Sequence, residues 1–155
     1  MGTRRGPAAS GVLRVGCSGY EYDDWAGRFY PVGLARRERL AAYASRFDTV
    51  ELNATFYGLP SAATVAAWRA RVPAGFVFAV KLSGFGTHRK RLRDPETWLP
   101  RFVARVRLLG PALGPVLVQL PPRWRADPER LDAFFRVAPG DLRYAVEVRD
   151  ATWLC

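Results

Sequence analysis

The sequence predicts an α/β fold in which about five parallel strands form an incomplete (β/α) barrel with four outer helices. Two observations support this prediction. Short β-rich runs alternate with helical segments along the chain, which is typical of βαβ units in a parallel sheet. Polar residues also fall at the same end of each run, and the carboxyl-terminal rim of a (β/α) barrel is where sites are built. The chain has 155 residues, enough for one domain with its own core.

Five runs are predicted to be strands because each combines β-branched, aliphatic and aromatic side chains. They cover residues 12–19, 49–56, 75–82, 114–120 and 142–149. In the second run apolar and polar side chains alternate, and one face carries Glu51, Asn53, Thr55 and Tyr57. We expect that face to be turned toward a pocket.

Helical patterns separate the predicted strands. The first, "LARRERLAAYASRF", places small and apolar residues on one face with arginines opposite. The other three begin at predicted N-caps, which are Ser61, Asp94 and Asp127. Proline follows both aspartates at the first helical position, where its missing N–H costs nothing. Pro100 is expected to kink the third helix or shift its start, and Gly110 to end it.

Charge and cysteine content limit the partners and the compartment. The formal net charge is +10, but 22 of the 24 basic residues are arginine, a bias that a GC-rich coding sequence produces by itself. The positive charge therefore has two possible explanations, a solvated basic surface with no polyanion site or a surface that binds nucleic acid. Two cysteines at opposite ends make no disulfide framework, and no signal peptide or membrane span is predicted, so a cytoplasmic location is expected. Residues 1–10 are expected to be a flexible arm, and 11–155 the partial barrel.

The polar residues near the strand ends are the candidate site. Parallel strands covered on both faces should be continuously apolar, and these runs depart from that rule at one end. The residues concerned are Ser18, Glu51, Asn53, Lys81, Gln119, Glu147 and Arg149. The alternative is that these side chains only satisfy one another across the barrel.

Several longer motifs resemble a known family. "VGCSGYEYDDWAGRFYP", "FDTVELNATFYGLPSAATVAAW", "GFVFAVKL" with "THRKRL", "LGPVLVQLPPRW" and "YAVEVRDATW" resemble the bacterial and archaeal family called domain of unknown function 72, also known as YecE-like. The resemblance runs from about Val15 to Trp153. It implies a TIM-barrel-like fold and no particular reaction. It includes the rim residues and adds aromatic and loop positions such as Trp25, Thr87 and His88.

Family members continue through further strands, whereas this chain stops just after its fifth. Five strands leave two unpaired edges and a bare inner face. We therefore expect either a truncated, inactive family member or fragment, or self-association that covers the open edges.

Glu51, Glu147, Lys81 and His88 are the predicted catalytic residues. Carboxylates held beside Lys81 and Arg149 can have their pKa values pushed apart for acid and base work. The alternative, ion pairs that steady the barrel, remains open. Lys81 can form a Schiff base or bind an anion. His88 can shuttle a proton or simply be a solvated loop histidine, and no metal site is predicted.

The predicted ligand-binding residues are Ser18, Tyr20, Trp25, Asn53, Tyr57, Gln119, Arg149 and Trp153. Aromatic rings at the rim suit stacking on a base or a sugar, or they plug the barrel mouth. The expected ligand is small and polar or phosphorylated. The alternative is a nucleic-acid-associated protein that uses the basic loop 88–93. No P-loop, GxGxxG or CxxC motif is present, so the cofactor is unknown.

Overall fold

The structure is a computed structural model that describes residues 11–154, so the predicted N-terminal arm, residues 1–10, lies outside the described residues. Five strands form one parallel sheet in chain order. They are β1 (Gly16–Ser18), β2 (Thr49–Leu52), β3 (Val77–Lys81), β4 (Leu113–Gln119) and β5 (Tyr144–Glu147). The prediction of five parallel strands is confirmed, although four strands are shorter than the predicted runs and β4 begins and ends one residue earlier than predicted.

Helices connect the strands. They are α1 (Arg36–Ala44), α2 (Ala54–Tyr57), α3 (Ala62–Ala70), α4 (Pro95–Val106) and α5 (Pro128–Val137). Short 3-10 segments cover Asp23–Trp25, Arg107–Ala112 and Ala151–Leu154, and a π-helical turn covers Phe85–Arg89. The four predicted outer helices correspond to α1, α3, α4 and α5, whereas α2 was not predicted.

The second strand ends earlier than predicted. Alternation in the sequence continues beyond Leu52, but the chain turns into α2 at Ala54. Thr55 is therefore buried, with its hydroxyl within hydrogen-bond distance of the carbonyl oxygens of Leu52 (2.9 Å) and Lys81 (2.7 Å). Thr55 and Tyr57 thus do not share a strand face with Glu51, and that prediction was wrong.

Two of the three predicted N-caps are confirmed. The Ser61 side chain accepts from the Thr64 backbone N–H, and the Asp127 side chain accepts from that of Arg130, each at 3.0 Å. Asp94 does not cap α4 with its side chain, because its backbone is left-handed (φ 47°). Its carboxylate instead accepts from Lys90 Nζ at 3.3 Å.

The end of α4 also differs from the prediction. The helix passes through Pro100 and stops at Val106, and a 3-10 segment follows it. Gly110 has a non-helical backbone within that segment (φ 56°, ψ −128°), so the glycine kinks the 3-10 segment and does not end the α-helix.

The core lies between the sheet and the helices. Val50, Leu52, Phe78, Val80 and Val118 point to the helices and are at most 2% exposed. The intervening side chains, such as Ala79 and Leu117, lie on the opposite face and are only half-buried. That opposite face is the inside of an open barrel, because β1 and β5 are the two edges of the sheet and do not meet.

Candidate functional site

The first part of the site joins the ends of β1 and β2. Ser18 and Glu51 are register partners in the parallel pair, so their side chains lie side by side. Ser18 Oγ donates to Glu51 Oε1 at 2.6 Å, and Asn53 Nδ2 donates to Ser18 Oγ at 2.9 Å. The carboxylate and the amide are thereby held at fixed positions on one serine.

Lys81 extends this group to β3. Its Nζ donates to Asn53 Oδ1 at 3.2 Å and lies 3.8 Å from Glu51 Oε1. The Lys81 and Glu51 side chains are 15% and 24% exposed, so the pair is largely shielded from solvent. The Nζ atom also lies 5.6 Å from the centroid of the Phe56 ring, over its face.

The second part of the site joins β4 and β5. Gln119 and Glu147 are register partners, and Gln119 Nε2 donates to Glu147 Oε2 at 2.7 Å. Arg149 Nε donates to the other carboxylate oxygen at 2.8 Å. Burial acts to raise the pKa of Glu147, but the hydrogen bonds from Gln119 and Arg149 outweigh it and hold that pKa below its usual value. Glu147 is therefore ionised at neutral pH.

His88 lies near both parts. Its Nδ1 is 2.9 Å from Thr87 Oγ1, and that hydroxyl donates to the Ser83 carbonyl at 3.2 Å. The contact with Thr87 Oγ1 orients the imidazole ring, and which of the two atoms donates depends on the tautomer of His88. Burial, and then the charges of Arg149 and Lys81, lower the pKa of His88. Those two charges come from opposite parts of the site, so both parts act on one histidine.

Within residues 11–154, the predicted aromatic site residues form no hydrogen bond with these polar side chains. Tyr20 is 8% exposed and belongs to the core, where burial raises the pKa of its hydroxyl. Trp25 packs edge-on against Phe29 at 5.1 Å. Trp153 Nε1 donates to a backbone carbonyl, that of Trp124, at 2.8 Å. Tyr57 is 84% exposed on α2, and its hydroxyl forms no hydrogen bond within residues 11–154.

A cavity of about 360 Å³ opens beside the first part of the site. Tyr20 and Trp68 form part of its wall, and Glu51 and Asn53 line it as well. Its size falls in the range of small-molecule sites. Tyr20 thus contributes to the shape of this cavity rather than to the polar group.

Sequence reasoning missed Thr55 as a structural link between β2 and β3. Its hydroxyl fixes the point where both strands end, and no pattern of spacing shows that contact. The structure brings the other predicted polar residues together, and we call this set the rim cluster: Ser18, Glu51, Asn53, Lys81, His88, Gln119, Glu147 and Arg149.

Among residues 11–154, no group of three or more His, Cys, Asp or Glu side chains is placed to hold a metal ion. Within the same range, no helix is both long and apolar enough to cross a bilayer.

Comparisons with known proteins agree with the fold. The UPF0759 protein YunF of Bacillus subtilis is 30% identical over 151 residues, which cover 92% of this chain and 52% of that protein. A solved DUF72 family protein from Thermotoga maritima matches 90% of this chain and 56% of its own, with 30% identity and a TM-score of 0.76. One from Enterococcus faecalis shares the fold, with a TM-score of 0.68 at 22% identity over 93% of this chain and 53% of its own.

This chain therefore spans about half the length of the relatives that it matches. Residues 14–155 match the sequence family described as protein of unknown function DUF72. The resemblance inferred from the motifs is confirmed, and the chain belongs to the DUF72 family.

Proposed function

We propose that the rim cluster binds a small polar or phosphorylated ligand at the carboxyl ends of the strands. One observation carries this proposal: every strand of the sheet supplies a polar side chain at or just beyond its end, and hydrogen bonds or charges connect them all. In (β/α) barrels this is the face on which ligand sites are assembled from several strands.

Unused donors favour an anionic group. Lys81 Nζ has three donor positions and makes one hydrogen bond within residues 11–154. Arg149 uses Nε for Glu147, and its terminal nitrogens make no hydrogen bond within that range. A phosphate oxygen can accept from both groups, as it does in other phosphate sites.

Proton transfer at this site would involve His88, Glu147 or Glu51. His88 has a lowered pKa and is neutral at neutral pH, so one of its ring nitrogens carries no proton, which suits a general base. Glu147 is ionised and held by two hydrogen bonds, so it suits charge stabilisation of a cationic group. The Lys81 ammonium donates to Asn53, an arrangement that suits anion binding better than a Schiff base.

Phosphorus NMR with inorganic phosphate tests the anion site. We expect saturable broadening of the phosphate signal by the 155-residue chain and at least about tenfold weaker binding after Arg149→Gln. Arg37→Gln is the matched control, because Arg37 is exposed on α1 and makes no ion pair within residues 11–154. The proposal fails if Arg149→Gln and Arg37→Gln bind phosphate equally, or if Glu51→Gln and Glu147→Gln leave every binding or activity signal unchanged.

Nucleic-acid association is a second candidate function. The loop after His88 favours it, since Arg89, Arg91 and Arg93 are exposed and make no ion pair with a carboxylate within residues 11–154. Oligonucleotide binding that falls steeply with salt, and that is lost when Arg89, Lys90 and Arg91 are neutralised together, would support it. Binding that is insensitive to salt would exclude it.

The two edge strands of the sheet, β1 and β5, are a further feature that matters for both proposed functions. β1 and β5 present unpaired backbone groups, and we expect a second copy of the chain to cover them. Unfolding midpoints that rise with protein concentration would support association. Midpoints that do not change with protein concentration would show that the five-stranded unit is stable alone. If the chain also binds neither phosphate nor nucleic acid, it is an inactive member of the family.

A further inference from the structure

A larger cavity lies apart from the rim cluster, between α2, the π-helical turn and α4. Its volume is about 460 Å³, within the range of small-molecule sites. The wall is mainly aromatic and includes Phe56, Phe85, Trp98 and Phe102. Phe56 also contacts the rim cluster, through Lys81 and His88.

Two glycines fix the position of this wall. A Cβ atom at Gly84 would lie 2.9 Å from Cζ of the Phe56 ring. A Cβ atom at Gly86 would lie 2.4 Å from two carbons of the Trp98 ring. The backbone therefore passes between two aromatic rings at a distance that only glycine allows, and both rings are held in place.

The backbone that follows is irregular. Phe85–Arg89 is a π-helical turn, a form that is rare and occurs frequently at functional sites. Arg91, Leu92 and Asp94 then have φ values of 49°, 61° and 47°. Left-handed conformations at residues other than glycine are strained and cluster at ligand sites and switch regions.

Two arginines give the cavity a positive charge. Arg89 and Arg101 line it, and both are exposed. The Arg89 guanidinium carbon lies 5.4 Å from the centroid of the Phe85 ring. Neither arginine forms an ion pair with a carboxylate in the described part of the chain, so the charge beside the aromatic wall is not neutralised.

We propose that this cavity binds a small molecule with an aromatic ring that carries a phosphate group. The ring would pack against Phe56, Phe85 and Trp98, where aromatic pairs gain energy beyond the area they bury. The phosphate would accept hydrogen bonds from Arg89 and Arg101, whose planar groups suit phosphate recognition. This site is separate from the rim cluster, which needs no ring in its ligand.

Isothermal titration with phenyl phosphate tests the proposal, using the 155-residue chain in a buffer that contains excess inorganic phosphate. Inorganic phosphate saturates any site that recognises the phosphate group alone, including the proposed rim site, so the heat of phenyl phosphate binding reports a site that also needs the ring. We expect phenyl phosphate to bind under these conditions. Arg89→Gln and Arg101→Gln should each weaken binding by at least about tenfold.

The controls separate this site from the rim cluster. Arg37→Gln should bind phenyl phosphate as the parent chain does, because Arg37 is exposed on α1 and does not line the cavity. Phe85→Leu, which keeps an apolar side chain, should weaken binding because the aromatic face is lost. Phenyl phosphate binding in excess inorganic phosphate does not depend on whether the rim cluster binds a ligand, so failure of one proposal is distinguishable from failure of the other.

Three outcomes would overturn the proposal. One is the absence of phenyl phosphate binding at millimolar concentration. Another is unchanged binding in Arg89→Gln and Arg101→Gln that retain the circular dichroism spectrum of the parent chain. The third is equal affinity for benzyl alcohol, which has the ring and lacks the phosphate.

Discussion

The Nζ atom of Lys81 lies 3.2 Å from the Oδ1 atom of Asn53, and this contact joins the ends of β2 and β3. The amide of Asn53 is oriented by two partners, because its Nδ2 donates to Ser18 at the end of β1. Three neighbouring strands are therefore connected by one hydrogen-bonded series. The position of the Lys81 ammonium group is set by that series and by the face of the Phe56 ring.

The ionisation of His88 should report on this arrangement. Burial, followed by the charges of Arg149 and Lys81, lowers its pKa from the ordinary 6.5. Lys81→Gln removes one of these charges, so the pKa of His88 should rise toward the ordinary value. Proton NMR can measure it without ambiguity, since the sequence has one histidine. Lys90→Gln is the control, and an equal rise in both variants would contradict the placement of His88 near Lys81.

Acid should weaken the fold through Glu147. Its pKa is lower in the folded chain than the ordinary 4.5, because hydrogen bonds from Gln119 and Arg149 outweigh burial. The stabilisation is thus present above about pH 4.5 and is lost as pH falls through the folded-state pKa. Glu147→Gln should be less stable than the parent chain at neutral pH, and the gap should close in acid. Urea unfolding at several pH values measures the difference in the free energy of unfolding between the two chains. A difference that grows in acid would contradict this role of Glu147.

Tyr43 should be a major support of the pairing between β1 and the start of β2. It is fully buried, its hydroxyl donates to the Thr49 carbonyl at 3.0 Å, and it accepts from the Cys17 N–H at 2.7 Å. Tyr43→Phe leaves buried polar groups without partners, so we expect a loss of about 1–3 kcal/mol in the free energy of unfolding. Tyr57→Phe, at an exposed position, should change it by less than about 0.5 kcal/mol. Equal effects in urea unfolding would refute this role.

Gly86→Ala should destabilise the π-helical turn. The added methyl group would overlap the Trp98 ring, which is stacked against Phe134 and cannot move freely. We expect a cost of about 1–3 kcal/mol, as for other overpacked sites. Gly140→Ala is the control, because nothing lies within 4 Å of the corresponding Cβ. Thermal unfolding measures the midpoints of the two variants. Equal midpoints would show that Trp98 does not restrict the size of the residue at position 86.

Much of the rim cluster could be predicted from the sequence because the carboxyl ends of parallel strands meet at one edge of a sheet. Ser18 with Glu51, and Gln119 with Glu147, are polar residues at the ends of β-rich runs, and both pairs lie side by side in the sheet. Alternation also separated Leu52 and Val80, which face the helices, from the residues on the open face.

The remaining features depend on contacts between distant residues. The turn after Leu52 is fixed by the hydrogen bond from the Thr55 hydroxyl to the Lys81 carbonyl, although apolar and polar residues still alternate in the sequence there. The failure of Asp94 as an N-cap follows from its left-handed backbone, which the Asp-Pro motif does not reveal. The aromatic cavity requires Arg101 on α4 to approach Phe85 in the π-helical turn. No sequence motif at either residue indicates this approach.

Calorimetric titration of inorganic phosphate into the 155-residue chain tests the central proposal most directly. The two variants are Lys81→Gln and Lys90→Gln, which remove the same charge inside and outside the rim cluster. We expect saturable binding that is at least about tenfold weaker in Lys81→Gln and unchanged in Lys90→Gln. Equal affinities in the two variants, or no binding by the parent chain, would contradict an anion site at the strand ends.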